Sequence, residues 1–227
     1  MGKLYIVATP IGNLGDITLR VLEVLKDVDL ILCEDMRVSK KLLERYNIKK
    51  PIESYHQHSN LRKIDFILNL LKQGKNLALI SDSGTPGISD PGNKLVDELM
   101  SNELMSGVEI IPIPGASAIT AIASISGFPM DKFVFLGFPP HKKGRQKFFK
   151  ELTEYKYPVI LYESPYRIIK TLKQIEEAGK FDVVVGRELT KKFETIYRGE
   201  IKDIINKITP RGEFVIAIRQ RRTSYGK

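Results

Sequence analysis

The sequence predicts an α/β fold of two domains, the first with a mostly parallel sheet and the second with a mixed sheet. Three observations predict it. Short apolar runs alternate with helix-length amphipathic segments along most of the 227 residues, as β-α-β units require. Turns dense in Gly and Pro follow several of the runs, where strands pass into helices. The charge also changes character midway. Residues 1–115 hold 14 Lys and Arg against 15 Asp and Glu, whereas residues 116–227 hold 22 against 12. The boundary is expected near Pro114-Gly115, giving domains 1–115 and 116–227.

In the first domain, Lys3–Thr9 reads as a buried strand. Asp16 is expected to cap a helix over Ile17–Val28, whose Leu19, Val21, Leu22, Leu25 and Val28 recur at helical spacing. Strands follow at Asp29–Cys33, Pro51–Tyr55, Asn76–Ser81 and Val108–Ile113, with helices at about 38–46, 60–73 and 94–101. The second domain opens with a small-residue helix over 116–126. Its strands are expected at 133–137, 159–163, 182–187, 194–198 and 214–220, and its helices at about 143–154, 167–178 and 202–208. The stretches 195–200 and 212–222 read as neighbouring antiparallel strands, and the basic tail from Arg219 is expected to fray.

Composition narrows the class. No apolar run approaches the roughly 18 residues of a membrane span, and the start of the chain carries no signal-peptide pattern. Cys33 is the single cysteine, so no internal disulfide or thiolate cluster is available. These features suit a reducing cytoplasm and no membrane partner. The net charge of +9, concentrated in the second half, points to a polyanion meeting that half. A general solubility charge explains the total equally well.

Four Gly/Pro turns stand at strand ends: Thr9–Asn13, Ser81–Gly87, Pro112–Ser117 and Glu163–Tyr166. Ligands of open α/β sheets bind at such ends, and small residues let the backbone approach them closely. Neither GxxxxGK[ST] nor GxGxxG occurs at these turns, and they carry Ser, Thr, Pro and Asp in place of Lys or Arg. A ligand without phosphate, with hydroxyls for an Asp to accept from, fits better than a nucleotide triphosphate or dinucleotide. S-adenosylmethionine is such a ligand.

Several segments then combine into a pattern. They are Ile6–Leu14, Cys33-Glu34-Asp35-Met36-Arg37, Ser81–Pro86 with Asp90-Pro91-Gly92, Pro114-Gly115, Tyr162–Arg167, and Arg187–Lys191 with Glu194-Thr195. In order and over essentially the whole chain, they resemble the cytidine 2′-O-ribose methyltransferases of small-subunit ribosomal RNA, within the tetrapyrrole methylase superfamily. The resemblance implies a two-domain α/β fold, a homodimer, and S-adenosylmethionine folded into a cleft between the domains. It also implies methylation of a cytidine ribose in the decoding region of 16S rRNA, in naked or subunit-assembled form. Met36 stands where the family more often has Thr, and Ser117 lies in a turn that varies among relatives.

The cofactor-binding candidates are Pro10, Ile11, Gly12, Asp82, Ser83, Gly84, Thr85, Pro86, Gly115, Ala116, Ser117, Ala118 and Tyr162. A ribose hydroxyl is a weak nucleophile, so a positioned base should help. Asp35, Glu163 and Glu188 are the candidates, with Arg37 or Lys191 orienting phosphate or stabilising the alkoxide. No metal is indicated. His56 and His58 suit an RNA-facing rim or a solvated loop equally. His141–Lys147 is the densest basic run, and its Pro139, Pro140 and Gly144 neighbours suit a loop that contacts RNA. Two other readings remain open: a superfamily methyltransferase acting on a small tetrapyrrole or another substrate, and a non-enzymatic RNA-binding protein.

Overall fold

A computed structural model describes residues 1–56, 61–90 and 92–221. The chain divides into two compact units, Met1–Ser117 and Ala118–Lys227.

The first unit runs β1 (Lys3–Val7), α1 (Leu19–Asp27), β2 (Leu30–Cys33), α2 (Met36–Arg45), β3 (Ile52–Ser54), α3 (Leu61–Lys72), β4 (Leu77–Ile80), α4 (Gly92–Ser101) and β5 (Glu109–Ile113). The strands lie in the order β3-β2-β4-β1-β5 and all pair in parallel. Strand periodicity sorts their side chains onto two faces. Leu77 and Leu79 of β4 pack with Ile64, Ile67 and Leu71 of α3 and Leu95 and Leu99 of α4. Ala78 and Ile80 pack on the opposite face with Val21 and Leu25 of α1 and Leu43 of α2. Right-handed crossovers demand this division. The chain steps one way from β1 to β3, then returns over the other face to β5. The connections leaving adjacent β1 and β4 therefore diverge, which opens a crevice at their C-terminal ends.

The second unit runs α5 (Ala118–Ser126), β6 (Val134–Phe135), α6 (Arg145–Glu151), β7 (Val159–Glu163), α7 (Ile168–Ala178), β8 (Phe181–Arg187), β9 (Thr195–Gly199), α8 (Ile201–Lys207) and β10 (Phe214–Gln220). Its sheet is mixed, in the order β6-β7-β10-β8-β9, with only β6 and β7 parallel. One core joins Val159 and Leu161 of β7, Val183 and Val185 of β8 and Ile216 and Ile218 of β10 to Leu172 and Ile175 of α7 and Ile204 of α8.

Three sequence expectations need correction. Asp16 does not cap α1. It lies in a short 3-10 turn capped by Asn13, while the Thr18 side chain accepts the Val21 N–H at the start of α1. The segments around β9 and β10 are not neighbours, because β8 lies between them and pairs with both. Of the tail expected to fray, Arg219 and Arg221 are held by Asp182 at 2.6 Å and 2.8 Å, and residues 222–227 lie outside the described residues.

Replacing Thr18 with Ala is expected to lower stability by about 1 kcal/mol through loss of the cap. Asp16→Ala should change it by less than about 0.5 kcal/mol. Urea unfolding of both variants checks this, and the opposite ranking would return the cap to Asp16.

Candidate cofactor and active site

The cofactor-binding candidates of the first unit converge on the crevice between β1 and β4. Thr9, two residues past the end of β1 and 2% exposed, forms an isolated antiparallel bridge with Gly84. The Thr9 N–H donates to the Gly84 carbonyl at 2.9 Å, and the Gly84 N–H returns to the Thr9 carbonyl at 3.2 Å. The Thr9 hydroxyl adds a bond to the Ser81 carbonyl at 3.0 Å, and the Ser81 hydroxyl lies 3.2 Å from the Gly84 carbonyl. Gly84 adopts φ +82°, which side chains resist, and a Cβ there would stand 3.3 Å from the Ile11 side chain and 3.7 Å from the Ala116 carbonyl. The turn after β5 closes on the same place: a Cβ on Gly115 would fall 2.9 Å from that of Ala8. Turns carrying Pro10–Gly12, Asp82–Pro86 and Gly115–Ser117 thus form one backbone-lined bundle. Thr9 lies in the expected turn Thr9–Asn13 but not among the expected cofactor-binding residues, since its role rests on a long-range contact with Gly84.

Asp82, within this bundle, meets Asp35 in the turn after β2, and Arg37 pairs with Asp35 there. The Asp82 carboxylate accepts the Asp35 N–H at 3.0 Å. Burial pushes the Asp82 pKa up, with the Asp35 N–H and the nearby Arg37 and His56 opposing and the Asp35 charge adding to the rise. Asp35 caps α2 by accepting the Arg37 N–H at 2.8 Å, and pairs with the Arg37 guanidinium at 2.7 Å. The guanidinium and the backbone N–H together hold its pKa down to about 2. Such a carboxylate is a poor base. Met36, at the first position of α2, packs against the apolar core of that face. His56 is exposed and His58 lies outside the described residues.

The second unit places its candidates in four different settings. Ala118 opens α5. Tyr162 stacks edge-on against Phe135 at 4.9 Å, and burial with the Glu213 charge pushes its hydroxyl up to about 12. Glu163 is 1% exposed, and its oxygens are fully engaged. One pairs with Arg167 at 2.7 Å and accepts the Ser164 N–H at 2.7 Å, while the other accepts the Thr171 hydroxyl at 2.5 Å and faces Arg145 at 3.8 Å. A base needs a free lone pair and access to the proton. Glu163 has neither, so the structure reassigns it to holding β7, α6 and α7 together. Glu188 and Lys191 lie beyond β8 and pair at 3.0 Å, with Lys191 also 2.9 Å from Glu213. Burial alone would raise the Glu188 carboxyl, but the Glu213 N–H and the Lys191 ammonium outweigh it and leave the pKa lowered. For Lys191, burial works downward and the two carboxylates win, so the ammonium is stabilised.

The basic run also changes meaning. Arg145 is 4% exposed, and its guanidinium donates to Gln174, the Pro140 carbonyl and Thr171. It belongs to the buried Glu163 network, whereas Lys142, Lys143 and Lys147 remain exposed.

A model of the family described as "Tetrapyrrole (Corrin/Porphyrin) Methylases" matches residues 3–205, and the chain belongs to this family. Within it, the chain is 44% identical over 222 residues to "Ribosomal RNA small subunit methyltransferase I" of Thermotoga maritima, covering 96% of this chain and 98% of that protein. It is 46% identical over 220 residues to the protein of the same name from Mycoplasmopsis pulmonis, covering 95% and 97%. Among solved structures, "Crystal structure of the methyltransferase CobJ" matches with a TM-score of 0.71 at 18% identity, covering 99% of this chain and 98% of that one, a likeness of fold. S-adenosylmethionine is the methyl donor of this enzyme class and the cofactor of this chain. The bundled turns fit it. They offer carbonyls and the Asp82 carboxylate to hydroxyl and ammonium donors, their glycines let the backbone close in, and they hold no lysine or arginine of the kind a phosphate would need.

Glu163→Ala is expected to destabilise the protein by about 3–5 kcal/mol, because it leaves two largely buried guanidinium groups without their counter-ion. Urea unfolding measures this. Full stability with lost methyl transfer would return Glu163 to the chemistry.

Proposed function

We propose that this protein transfers a methyl group from S-adenosylmethionine to the 2′-oxygen of a cytidine ribose in the decoding region of 16S rRNA. It works as a homodimer, in the cytoplasm, on the small ribosomal subunit or its RNA. The observation that carries the reading is 44% and 46% identity, over 96% and 95% of this chain, with proteins named as small-subunit rRNA methyltransferases. Two physical features support it. Cation excess is confined to the second half of the sequence, and exposed Lys142, Lys143 and Lys147 cluster there. Aromatic surface lies in the same unit: Tyr166 is 96% exposed and Phe193 63%, with the Lys192 ammonium 5.7 Å from the Phe193 ring. Cations neutralise phosphates, and exposed rings stack on unpaired bases. Closed two-fold dimers are the commonest soluble assemblies, and among the described residues no helix is long and apolar enough to cross a membrane.

S-adenosylmethionine supplies an electrophilic methyl whose departure leaves a neutral thioether. The protein therefore has to align the acceptor oxygen and take its proton. The turns around Thr9 and Gly84 fix the donor's place, and the Asp82 carboxylate offers an acceptor beside them. A small tetrapyrrole is the second reading. The family's description favours it, but a small ligand does not need a broad cationic surface.

Labelled cofactor offered with small subunits, naked 16S rRNA, free cytidine and small tetrapyrroles tests the proposal. Methyl should enter the RNA or the subunit, fall steeply with salt, and stay absent from free cytidine and tetrapyrrole. Calorimetry should show binding of S-adenosylhomocysteine but not of ATP or NAD, weakened by roughly 1–3 kcal/mol in Asp82→Ala. Joint replacement of Lys142, Lys143 and Lys147 by Ala should raise KM for RNA and leave cofactor affinity unchanged. Label in a tetrapyrrole and none in RNA would overturn the proposal.

A further inference from the structure

Beside the β4 turn, the first unit holds a small cavity walled by Glu34, Tyr55, Ser81, Pro86 and Asp90. Tyr55 is 1% exposed, and among the described residues its hydroxyl has no hydrogen-bond partner. A buried hydroxyl left unpaired is costly, so it points to a polar group that arrives from outside. The carboxylates near the cavity differ in one respect. Asp90 accepts the Gly87 and Gly92 N–H groups, and Asp82 accepts the Asp35 N–H. The half-buried Glu34 carboxylate, directly after β2, accepts no hydrogen bond among the described residues. It is a proton acceptor with free lone pairs, beside the backbone turns assigned to the cofactor.

We propose that Glu34 is the catalytic residue that takes the proton of the substrate hydroxyl, with the Tyr55 hydroxyl as the donor that meets the incoming nucleotide in the same cavity. This rests on the functional reading above. The O–H bond breaks and its proton goes to the Glu34 carboxylate. The oxygen's electron pair forms the new C–O bond to the methyl carbon, and the pair of the breaking S–CH3 bond stays on sulfur. The surroundings suit Glu34 to this work. Burial raises its pKa first, then the Asp82 and Asp90 charges, with a smaller rise from Asp35, while His56 opposes. A carboxylate raised in this way is a stronger base at neutral pH than Asp35, which Arg37 holds at about 2. Tyr55 is also raised, by burial and then by Glu98, so its hydroxyl keeps its proton.

The test compares wild type, Glu34→Gln and Tyr55→Phe. It measures kcat for rRNA methylation against pH, KM for RNA, affinity for S-adenosylhomocysteine, and thermal melting. The wild-type rate should rise with pH through a limb above the usual glutamate range. Glu34→Gln should lose that limb and about 100-fold in kcat, with cofactor affinity and KM little changed. Tyr55→Phe should melt at or above the wild-type temperature, since its hydroxyl has no partner to lose among the described residues, and yet turn over several-fold more slowly. Wild-type kcat and pH profile in Glu34→Gln, or a loss confined to cofactor affinity, would overturn the assignment while leaving the functional reading intact. A wild-type protein that methylates neither rRNA nor subunits would overturn the functional reading and this assignment with it.

Discussion

The site depends on one contact, the paired backbone bonds between Thr9 and Gly84. Parallel β1 and β4 diverge where their connections leave for opposite faces, and nothing in the sheet ladder holds the two turns together beyond that point. The bridge supplies this hold, and the Thr9 hydroxyl reinforces it by reaching the Ser81 carbonyl. The cofactor candidates of the first unit lie on turns joined at this bridge or packed on it. The close approach of Gly115 to Ala8 brings in the third turn. Preorganised backbone of this kind costs little further ordering when a ligand arrives.

A second constraint is how the carboxylates are spent. Asp35 caps a helix and holds Arg37, Glu163 neutralises buried guanidinium groups, and Glu188 is tied to Lys191 and the Glu213 N–H. Asp35 and Glu188 are stabilised as anions and so weakened as bases, and Glu163 is enclosed by its partners. The cations are spent in the same way. Arg145, Arg187, Arg219 and Arg221 all serve internal partners, so the charge surplus of the second half overstates the surface that RNA would meet. Exposed lysines such as Lys142, Lys143 and Lys147 remain for phosphate.

The strand and helix order was legible in the sequence because apolar spacing reports burial directly, and β7 and β10 were legible to the residue. The Gly/Pro turns were visible because tight backbone geometry restricts residue type. Long-range pairing was not visible. Glu163 meets Thr171 through the first turns of α7, but Arg145 reaches the same carboxylate from another helix. Which of the adjacent Glu34 and Asp35 faces a cavity, and which caps α2, depends on where the strand ends, and spacing leaves that open by a residue. Thr18 displaced Asp16 as a cap for the same reason, because Asn13 had already begun a separate turn.

The most direct measurement is the calorimetric affinity of Thr9→Val for S-adenosylhomocysteine, taken beside its unfolding curve. Valine keeps the shape of the side chain and removes only the hydroxyl that braces the β4 turn. Affinity should fall about tenfold, in keeping with a lost buried hydrogen bond, while unfolding stays cooperative. Wild-type affinity in this variant would show that the bundle of turns is not what holds the cofactor.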